Sequence, residues 1–295
     1  ADTGGCDSFR APMRAASFRW FVLPFLVSLV GCAGNTMVPN GEADVPGIPG
    51  VDSGLPDFRG NEGFWKAYPA LANAGVDFAR IAEPISFKRE PRLAWGFYGH
   101  RLNLYRQTRP HDGFRILQEI AASMAHRCFV FTSNVDGQFE KAGYSAERIV
   151  ERHGSIHRLQ CQAGCRGDIW SAAGFEPETD EESCQLLSPF PVCPHCGGIA
   201  RPNILMFHDS YWISRPAGQQ LQSFDAWAGK LGSPVVVELG AGFHVPTVRR
   251  FSDTQKGALI RINPVSPAIS PGRQGVALQA GALEALRKIA AAFFG

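Results

Sequence analysis

The 295-residue sequence lacks several features that would assign it to a specialised class. Its apolar run Trp20–Val30 is shorter than the roughly 20 residues that a transmembrane helix needs. It has 29 Lys and Arg against 27 Asp and Glu, so neither sign of charge dominates. We find no basic block interleaved with aromatic residues and no internal repeat. We therefore expect neither a transmembrane anchor nor direct nucleic-acid binding.

Four of the eight cysteines form two closely spaced pairs. Cys161 and Cys165 are separated by three residues, and Cys193 and Cys196 by two. Two such pairs supply the tetrahedral set of thiolates that Zn²⁺ prefers, although two disulfides or scattered buried thiols are the alternative. Because four thiolates leave no open position on the metal, we expect one structural zinc ion.

Unbroken apolar runs rich in β-branched residues predict buried parallel strands at Pro234–Leu239 and Ala258–Asn263. Phe129–Thr132 is a shorter run of the same kind, and Gly281–Phe294 is an amphipathic helix. Alternating strands and helices predict an α/β fold with a doubly wound, Rossmann-like parallel sheet. The length and the 45% apolar content suffice for one large domain with a small insert.

Polar residues follow two of the apolar stretches. Asn134 and Asp136 come directly after Phe129–Thr132, and His153 precedes a turn at Gly154. Parallel sheets bind ligands beyond the carboxyl ends of their strands, which favours a functional role for these side chains. Asn and Asp are also common turn formers, and a lone His is more often a packed residue than a base.

Together these motifs resemble the sirtuin family of NAD-dependent protein deacylases, from Val51 to about Leu286. The resemblance implies that His153 is the catalytic base and that the four cysteines hold the family's zinc. The segments similar to the family's NAD-binding motifs contain Asp57, Phe58, Arg59, Ser133, Asn134, Asp136, Gly240, Ala241, Gly242 and Asn263.

The implied reaction transfers an acyl group from a lysine of a protein or peptide to ADP-ribose and releases nicotinamide. A histidine with a pKa near neutrality suits the proton transfer in that reaction. Asn134 and Asp136 are expected to orient the leaving group. Arg201–Phe207 resembles the strand that pairs with the substrate, which places Ile204, Met206 and Phe207 at the peptide.

Tyr98 and Arg101 stand three residues apart and share a face if the segment is helical. Sirtuins that prefer succinyl- or malonyl-lysine carry a similar Tyr-x-x-Arg pair. A guanidinium can bind an acyl carboxylate through two hydrogen bonds. An arginine on a helix commonly faces solvent instead, so acetyl and acidic acyl groups both remain open.

The amino-terminal region departs from the family pattern. Sirtuins begin with a strand and a Gly-Ala-Gly loop, whereas residues 43–50 here contain prolines that lack the backbone N–H. Leu29–Gly34 is either an altered first strand with its glycine turn, followed by an insertion, or the end of a lipoprotein-like signal, Met13–Cys32, lipidated at Cys32. Ser133 stands where Gln is common, the segment Gly240–Gly242 lacks the usual Ser, and His208 stands where Gly is usual.

The expected organisation is an atypical segment, 1–50, followed by a catalytic domain, 51–295. The domain contains a helical insert at about 63–109 and a zinc module at about 158–202. NAD and reduced thiolates belong to the cytosol, so we expect a cytoplasmic protein, with lipid anchoring through Cys32 as the alternative.

Two other function classes fit the same residues. One is an ADP-ribosyltransferase or NAD hydrolase on the same fold, in which His153 and Asn134 act differently. The other is a non-catalytic pseudoenzyme that retains the zinc site and has an impaired phosphate loop. The oligomeric state does not follow from the sequence.

Overall fold

The computed structural model describes residues 25–30, 53, 60–243 and 245–295. The strands are β1 Phe25–Val30, β2 Cys128–Thr132, β3 Ile149–Glu151, β4 Gly154–Cys161, β5 Ile169–Ser171, β6 Thr179–Asp180, β7 Gln185–Leu186, β8 Ala200–Ile204, β9 Pro234–Leu239, β10 Ala258–Ile262 and β11 Gly275–Leu278. The helices are α1 Gly60–Ala67, α2 Pro69–Asn73, α3 Phe78–Ile81, α4 Ser86–Arg89, α5 Pro91–Gln107, α6 Asp112–Ala122, α7 Gln138–Lys141, α8 Arg215–Ala228, α9 Thr247–Thr254 and α10 Ala282–Phe294, with a 3₁₀ turn at Ala146–Arg148.

The main sheet has the strand order β11-β10-β9-β1-β2-β3, and its neighbouring strands are parallel. Every residue of β2 and of β9 is buried, as expected for parallel strands covered on both faces. The order reverses at β1, which is the arrangement of a doubly wound dinucleotide-binding sheet. The predicted fold class is therefore confirmed, and the loops after β2, β3, β9 and β10 meet at one edge.

Strand β1 lies between β9 and β2. It falls inside the apolar run Trp20–Val30 and pairs over its whole length with β9, from Phe25 opposite Pro234 to Val30 opposite Leu239. Its last two residues, Leu29 and Val30, belong to the segment Leu29–Gly34, for which an altered first strand is one of the two interpretations. The predicted glycine turn and Cys32 lie outside the described residues. Among the described residues, no helix has the length and hydropathy needed to cross a bilayer.

A smaller antiparallel sheet, β5-β4-β8, and the hairpin β6-β7 occupy the region predicted as the zinc module. Strand β4 begins immediately after His153 and ends at Cys161. It pairs with β8, with a change of register between Ser155 and Leu159. One strand therefore connects the edge of the main sheet to the cysteine pairs.

Helices α1 to α5 occupy the region predicted as the helical insert. Their apolar faces form an aromatic-rich core around α5, in which Phe64, Trp95 and Phe97 are fully buried. Trp95 Nε1 donates to the carbonyl of Ala200 in β8, 2.9 Å away, so the indole N–H is satisfied in the core. These helices are thus packed against the small sheet.

Candidate active site

The candidate active site lies at the edge of the main sheet where the parallel strands end. Ser133, Asn134 and Asp136 follow β2 and are buried. His153 follows β3 by two residues. Because β2 pairs in parallel with β3, the two loops leave the sheet side by side. The loops after β9 and β10 leave at the same edge, so the structure brings these segments together.

The Asn134–Asp136 loop is held by its own side chains. The Asn134 N–H donates to Thr132 Oγ1 at 3.0 Å, and Asn134 Nδ2 donates to Asp136 Oδ2 at 3.2 Å. Asp136 Oδ1 accepts from the Gln138 N–H at 3.0 Å. Burial raises the pKa of the Asp136 carboxyl above its usual range, while the hydrogen bonds from Gln138 and Asn134 oppose that shift.

Asn134 Oδ1 is buried and has no hydrogen-bond partner within the described part of the chain. A buried amide oxygen without a partner is costly, so such atoms are commonly completed by a bound group. The loop therefore offers one open acceptor, and its amide donor is already oriented by Asp136. This arrangement fits a ligand that presents an N–H or O–H group.

His153 lies largely buried, and its Nε2 is 3.1 Å from Thr247 Oγ1 at the start of α9. Burial, with a smaller contribution from the positive charge of Arg152, lowers its pKa from 6.5 to about 4. This differs from the near-neutral pKa expected from the sequence, because desolvation penalises the imidazolium form. At neutral pH the ring is uncharged and carries a lone pair that can accept a proton.

The backbone around His153 is fixed on both sides. The Arg152 N–H donates to the Thr132 carbonyl at 2.8 Å, and the Leu205 N–H donates to the His153 carbonyl at 2.9 Å. Gly154 has a φ of +80°, and a Cβ there would lie 2.1 Å from the Asn203 carbonyl oxygen. Glycine is required at this position because β8 passes so close to the turn.

The loop after β9 is tied to the loop after β10. Gly240 has a φ of +63°, and its N–H donates to the carbonyl of Ile262 at 2.9 Å. Asn263 Nδ2 donates to the Ala241 carbonyl at 3.1 Å, while Asn263 Oδ1 accepts from the N–H groups of Val265 at 3.0 Å and of Ser266 at 2.8 Å. The Asn263 side chain thus binds these loops to each other.

Arg249 strengthens the same connection and was not predicted from the sequence. Its Nη1 donates to Ala241 at 3.2 Å and to Ser266 at 3.0 Å, and its Nη2 donates to Ala268 at 3.0 Å. Its guanidinium lies 4.0 Å from the centroid of the Phe243 ring. No local pattern marks Arg249, because its partners lie in two loops that only the fold brings together.

Tyr98 and Arg101 lie on α5, as the sequence predicted. Tyr98 is buried and stacks on Phe87, with 5.5 Å between the ring centroids. Arg101 Nε donates to the Tyr105 hydroxyl at 2.9 Å, and its positive charge lowers the pKa of Asp136. Gln138 Nε2 donates to the Tyr105 carbonyl at 3.1 Å, so the part of α5 that carries Arg101 lies beside the Asn134–Asp136 loop. Tyr105 was not singled out, although its i+4 spacing from Arg101 is the signal that could have identified it.

The residues expected to bind the substrate peptide lie at the end of β8 and directly after it. Ile204 and Met206 are buried, and Phe207 is half-buried. The Phe207 N–H donates to the Ala82 carbonyl at 3.0 Å. His208 has a φ of +53°, so it adopts the left-handed backbone that the glycine at this position of the family would favour.

The four cysteine sulfurs lie within 4.8 Å of one another. Cys161 Sγ and Cys196 Sγ are 3.7 Å apart, and Cys165 Sγ and Cys193 Sγ are 3.5 Å apart. A tetrahedral zinc with Zn–S distances of about 2.3 Å places its sulfurs about 3.8 Å apart. A disulfide would place them at about 2.05 Å. The four thiols are thus positioned for one zinc ion, and their spacing does not fit two disulfides.

Three predicted cofactor-binding residues, Asp57, Phe58 and Arg59, lie outside the described residues. Gly242 is half-buried in the loop after β9, next to Ala241. The other predicted site residues lie in the loops at the sheet edge, on α5, at the end of β8 and directly after it, and in the cysteine cluster.

Comparison with known proteins connects this geometry to a family. Residues 47–226 match the model of the Sir2 family. A protein named NAD-dependent protein deacylase from Pyrococcus furiosus is 32% identical over 54% of this chain and 57% of its own length. One of the same name from Aeropyrum pernix is 29% identical over 72% of this chain and 76% of its own length. The chain thus spans between about half and three quarters of these two relatives.

Solved structures share the fold at lower sequence identity. A Sir2 homologue in complex with NAD superposes with a TM-score of 0.63 at 21% identity, covering 91% of this chain and 88% of that one. Sir2Tm bound to a propionylated peptide superposes with a TM-score of 0.58 at 16% identity, covering 92% and 93%. The family match over more than half of the sequence, supported by the parallel sheet and the cysteine cluster, shows that this chain belongs to the Sir2 family.

Proposed function

We propose that the protein is an NAD-dependent lysine deacylase that moves an acyl group from lysine to ADP-ribose with release of nicotinamide. The observation that carries the proposal is the juxtaposition of His153 with the Asn134–Asp136 loop at the carboxyl edge of the sheet. A neutral buried imidazole and an oriented amide–carboxylate pair are the groups that proton transfer and sugar binding require. Relatives named NAD-dependent protein deacylases support the choice of reaction.

NAD fits the residues at this edge. The unpartnered Asn134 Oδ1 can accept from the carboxamide of nicotinamide, and Asp136 can accept from a ribose hydroxyl. The glycine-containing loop Gly240–Gly242 provides backbone at the ends of β9 and β10, where dinucleotides bind such sheets. Bound NAD supplies a ribose carbon that the acyl oxygen can attack as nicotinamide leaves.

The protein's own contribution is to orient groups and to move one proton. Asn134 and Asp136 hold the sugar and the leaving group in one orientation, which lowers the entropic part of the barrier. His153 would accept a proton from a sugar hydroxyl through its unprotonated ring nitrogen, so that the hydroxyl oxygen can bond to the acyl carbon. The bond from that carbon to the lysine nitrogen breaks, the lysine leaves as the amine, and one water molecule supplies the remaining oxygen and protons. The low pKa of about 4 keeps the imidazole unprotonated at neutral pH.

The cysteine cluster fits a structural zinc. Cys161, Cys165, Cys193 and Cys196 would fill a tetrahedral coordination shell, so no position remains for water or substrate. The metal would hold the end of β4, which carries Cys161, to the segment before β8 that carries Cys193 and Cys196. Reduced thiolates and an NAD requirement also support a cytoplasmic location.

We further propose a preference for acyl groups that carry a carboxylate. Arg101 lies on the part of α5 that is hydrogen-bonded to Gln138, directly after the Asn134–Asp136 loop, and its guanidinium lies 5.2 Å from the ring centroid of Phe97 and 5.3 Å from that of Tyr105. Aromatic rings on both sides exclude water, which strengthens a guanidinium–carboxylate contact. Tyr98 lies on the same helix and adds a phenol close to this charge.

Mass spectrometry of NAD-dependent turnover tests the proposal. The zinc-loaded protein is given NAD and matched acetyl-, succinyl- and malonyl-lysine peptides, and free nicotinamide, peptide mass and acylated ADP-ribose are measured together. We expect NAD-dependent loss of the acyl group that disappears in His153→Ala. Arg101→Met should lower turnover of the succinyl peptide at least about tenfold relative to the acetyl peptide, because it removes a charged hydrogen-bond donor.

The products separate deacylation from the other classes. ADP-ribose attached to protein would identify an ADP-ribosyltransferase, and free ADP-ribose without peptide deacylation would identify an NAD hydrolase. A folded, zinc-loaded protein that neither binds NAD nor releases nicotinamide would be a pseudoenzyme. An acetyl preference unchanged by Arg101→Met would contradict the acidic-acyl proposal alone.

A further inference from the structure

We propose that Thr247 is a positioning residue for His153, whose hydroxyl fixes the orientation and the tautomer of the imidazole. The proposal rests on the proposed role of His153 as the base. It adds a residue from α9, 94 positions away in the sequence. Thr247 would not touch the substrate and would act only through the ring.

Thr247 is positioned to set the orientation of the His153 ring. The backbone of His153 is fixed by the Leu205 N–H and by the glycine turn that follows, but these contacts do not restrict rotation of the side chain. Thr247 Oγ1 lies 3.1 Å from Nε2, which is within hydrogen-bonding distance. Within the part of the chain that the structure describes, this is the side-chain hydrogen bond recorded for the His153 ring.

Thr247 is itself held rigidly. It is the first residue of α9, and the next residue, Val248, is fully buried in the core cluster beside β9. Arg249 follows and is tied to the carbonyls of Ala241, Ser266 and Ala268. The Thr247 hydroxyl therefore lies at a fixed helix end. The first turn of this helix also holds the loops after β9 and β10, through Arg249.

The chemistry needs a single tautomer. A neutral imidazole has one N–H and one lone pair, and a hydrogen bond at one nitrogen selects which nitrogen is protonated. A hydroxyl that donates to Nε2 favours the tautomer protonated at Nδ1, and one that accepts from Nε2 favours the tautomer protonated at Nε2. Arg152, whose positive charge lowers the pKa of His153, disfavours the imidazolium form in either case.

The first test reads the ring directly and requires no turnover. NMR of protein labelled with ¹⁵N in histidine reports the tautomer and the titration of each imidazole, and His153→Gln assigns the signal. We expect one dominant tautomer in the wild type and in Thr247→Ser. We expect mixed tautomers and a shifted titration in Thr247→Val, which has the same shape without the hydroxyl. Thr254→Val, whose hydroxyl donates to Phe251 at the other end of α9, is the matched control.

The second test uses the proposed reaction. Thr247→Val should lower kcat about tenfold, a fraction of the 10²–10⁴-fold that a general base contributes, and should leave KM for NAD unchanged. Thr247→Ser should restore kcat. Identical ring spectra and kcat in the wild type and Thr247→Val would overturn the proposal. If the wild type has no deacylase activity, the proposed function fails, but the ring spectra still decide whether Thr247 orients His153.

Discussion

Glu238 and Arg261 face each other on the adjacent parallel strands β9 and β10 and form an ion pair sealed from solvent. Arg261 Nε lies 2.7 Å from Glu238 Oε1, and Arg261 Nη2 lies 2.9 Å from Glu238 Oε2. Neither side chain is more than 1% exposed. Ser252 also donates to Glu238, and Asp253 accepts from Arg261. Strands β9 and β10, whose following loops are proposed to bind NAD, are thus joined through their side chains as well as their backbones.

Breaking this pair from one side should be strongly destabilising. Glu238→Gln leaves the Arg261 guanidinium buried without its main counter-charge, which costs about 3–5 kcal/mol of unfolding free energy. Urea denaturation followed by circular dichroism measures the loss. In the double variant Glu238→Gln/Arg261→Met the loss should be smaller than the sum of the two single losses. A loss below about 1 kcal/mol in Glu238→Gln would contradict the buried-pair argument.

The buried histidine should make stability depend on pH. His153 titrates at a pKa of about 4 in the folded chain and near 6.5 when exposed. As the pH falls below 6.5, the unfolded chain binds a proton that the folded chain refuses, so stability is lost between these values. The loss at pH 4.5 relative to pH 7 should reach about 2–3 kcal/mol. His153→Ala should remove this component, and equal pH slopes in the two proteins would refute it.

Zinc binding should depend on the four clustered cysteines and not on the remaining buried thiol of the module. Cys196→Ser should lower the zinc content from one ion per chain to near zero and should unfold the small sheet, since a structural site couples metal binding to folding. Cys184→Ser is the matched control, because Cys184 is buried in the aromatic-rich core around α5. Metal analysis by mass spectrometry and the circular dichroism spectrum give the result. Full zinc occupancy in Cys196→Ser would exclude the four-thiolate site.

Arg249 should influence NAD binding without touching the ligand. Arg249→Met removes hydrogen bonds to Ala241, Ser266 and Ala268, so the two loops lose their fixed separation. We expect the Kd for NAD to rise about tenfold, since loop ordering must then be supplied on binding. Titration calorimetry measures the change, and Arg250→Met, at the exposed neighbouring position, should bind NAD as the wild type does. Equal affinities in both variants would show that the loops are held by other contacts.

Sequence reasoning predicted those parts of the molecule that are determined by local pattern. The unbroken β-branched run gave β9 its observed bounds, Pro234–Leu239, and the amphipathic run at Gly281–Phe294 differs from α10 by one residue. The spacing of the cysteine pairs predicted the cluster, because two short pairs bring their sulfurs together once the intervening loop closes.

The remaining features depend on tertiary contacts that no local pattern encodes. The contact of Thr247 with His153 joins α9 to the turn after β3, and the contacts of Arg249 join α9 to the loops after β9 and β10. Glu238 lies within an apolar run, and only the register of β9 against β10 shows that Arg261 is opposite it. The low pKa of His153 follows from burial, which the sequence around a turn does not reveal.

Strand β4 connects His153, immediately before its first residue, to Cys161, its last. Cys193 and Cys196 of the metal cluster precede β8. Leu205, directly after β8, donates its N–H to the His153 carbonyl. The stretch between these two strands carries Cys165, Cys193 and Cys196, and its hairpin contributes the buried Leu186 to the core around α5. A change of length there that moved the cysteine pairs would therefore be transmitted along β4 to the proposed base.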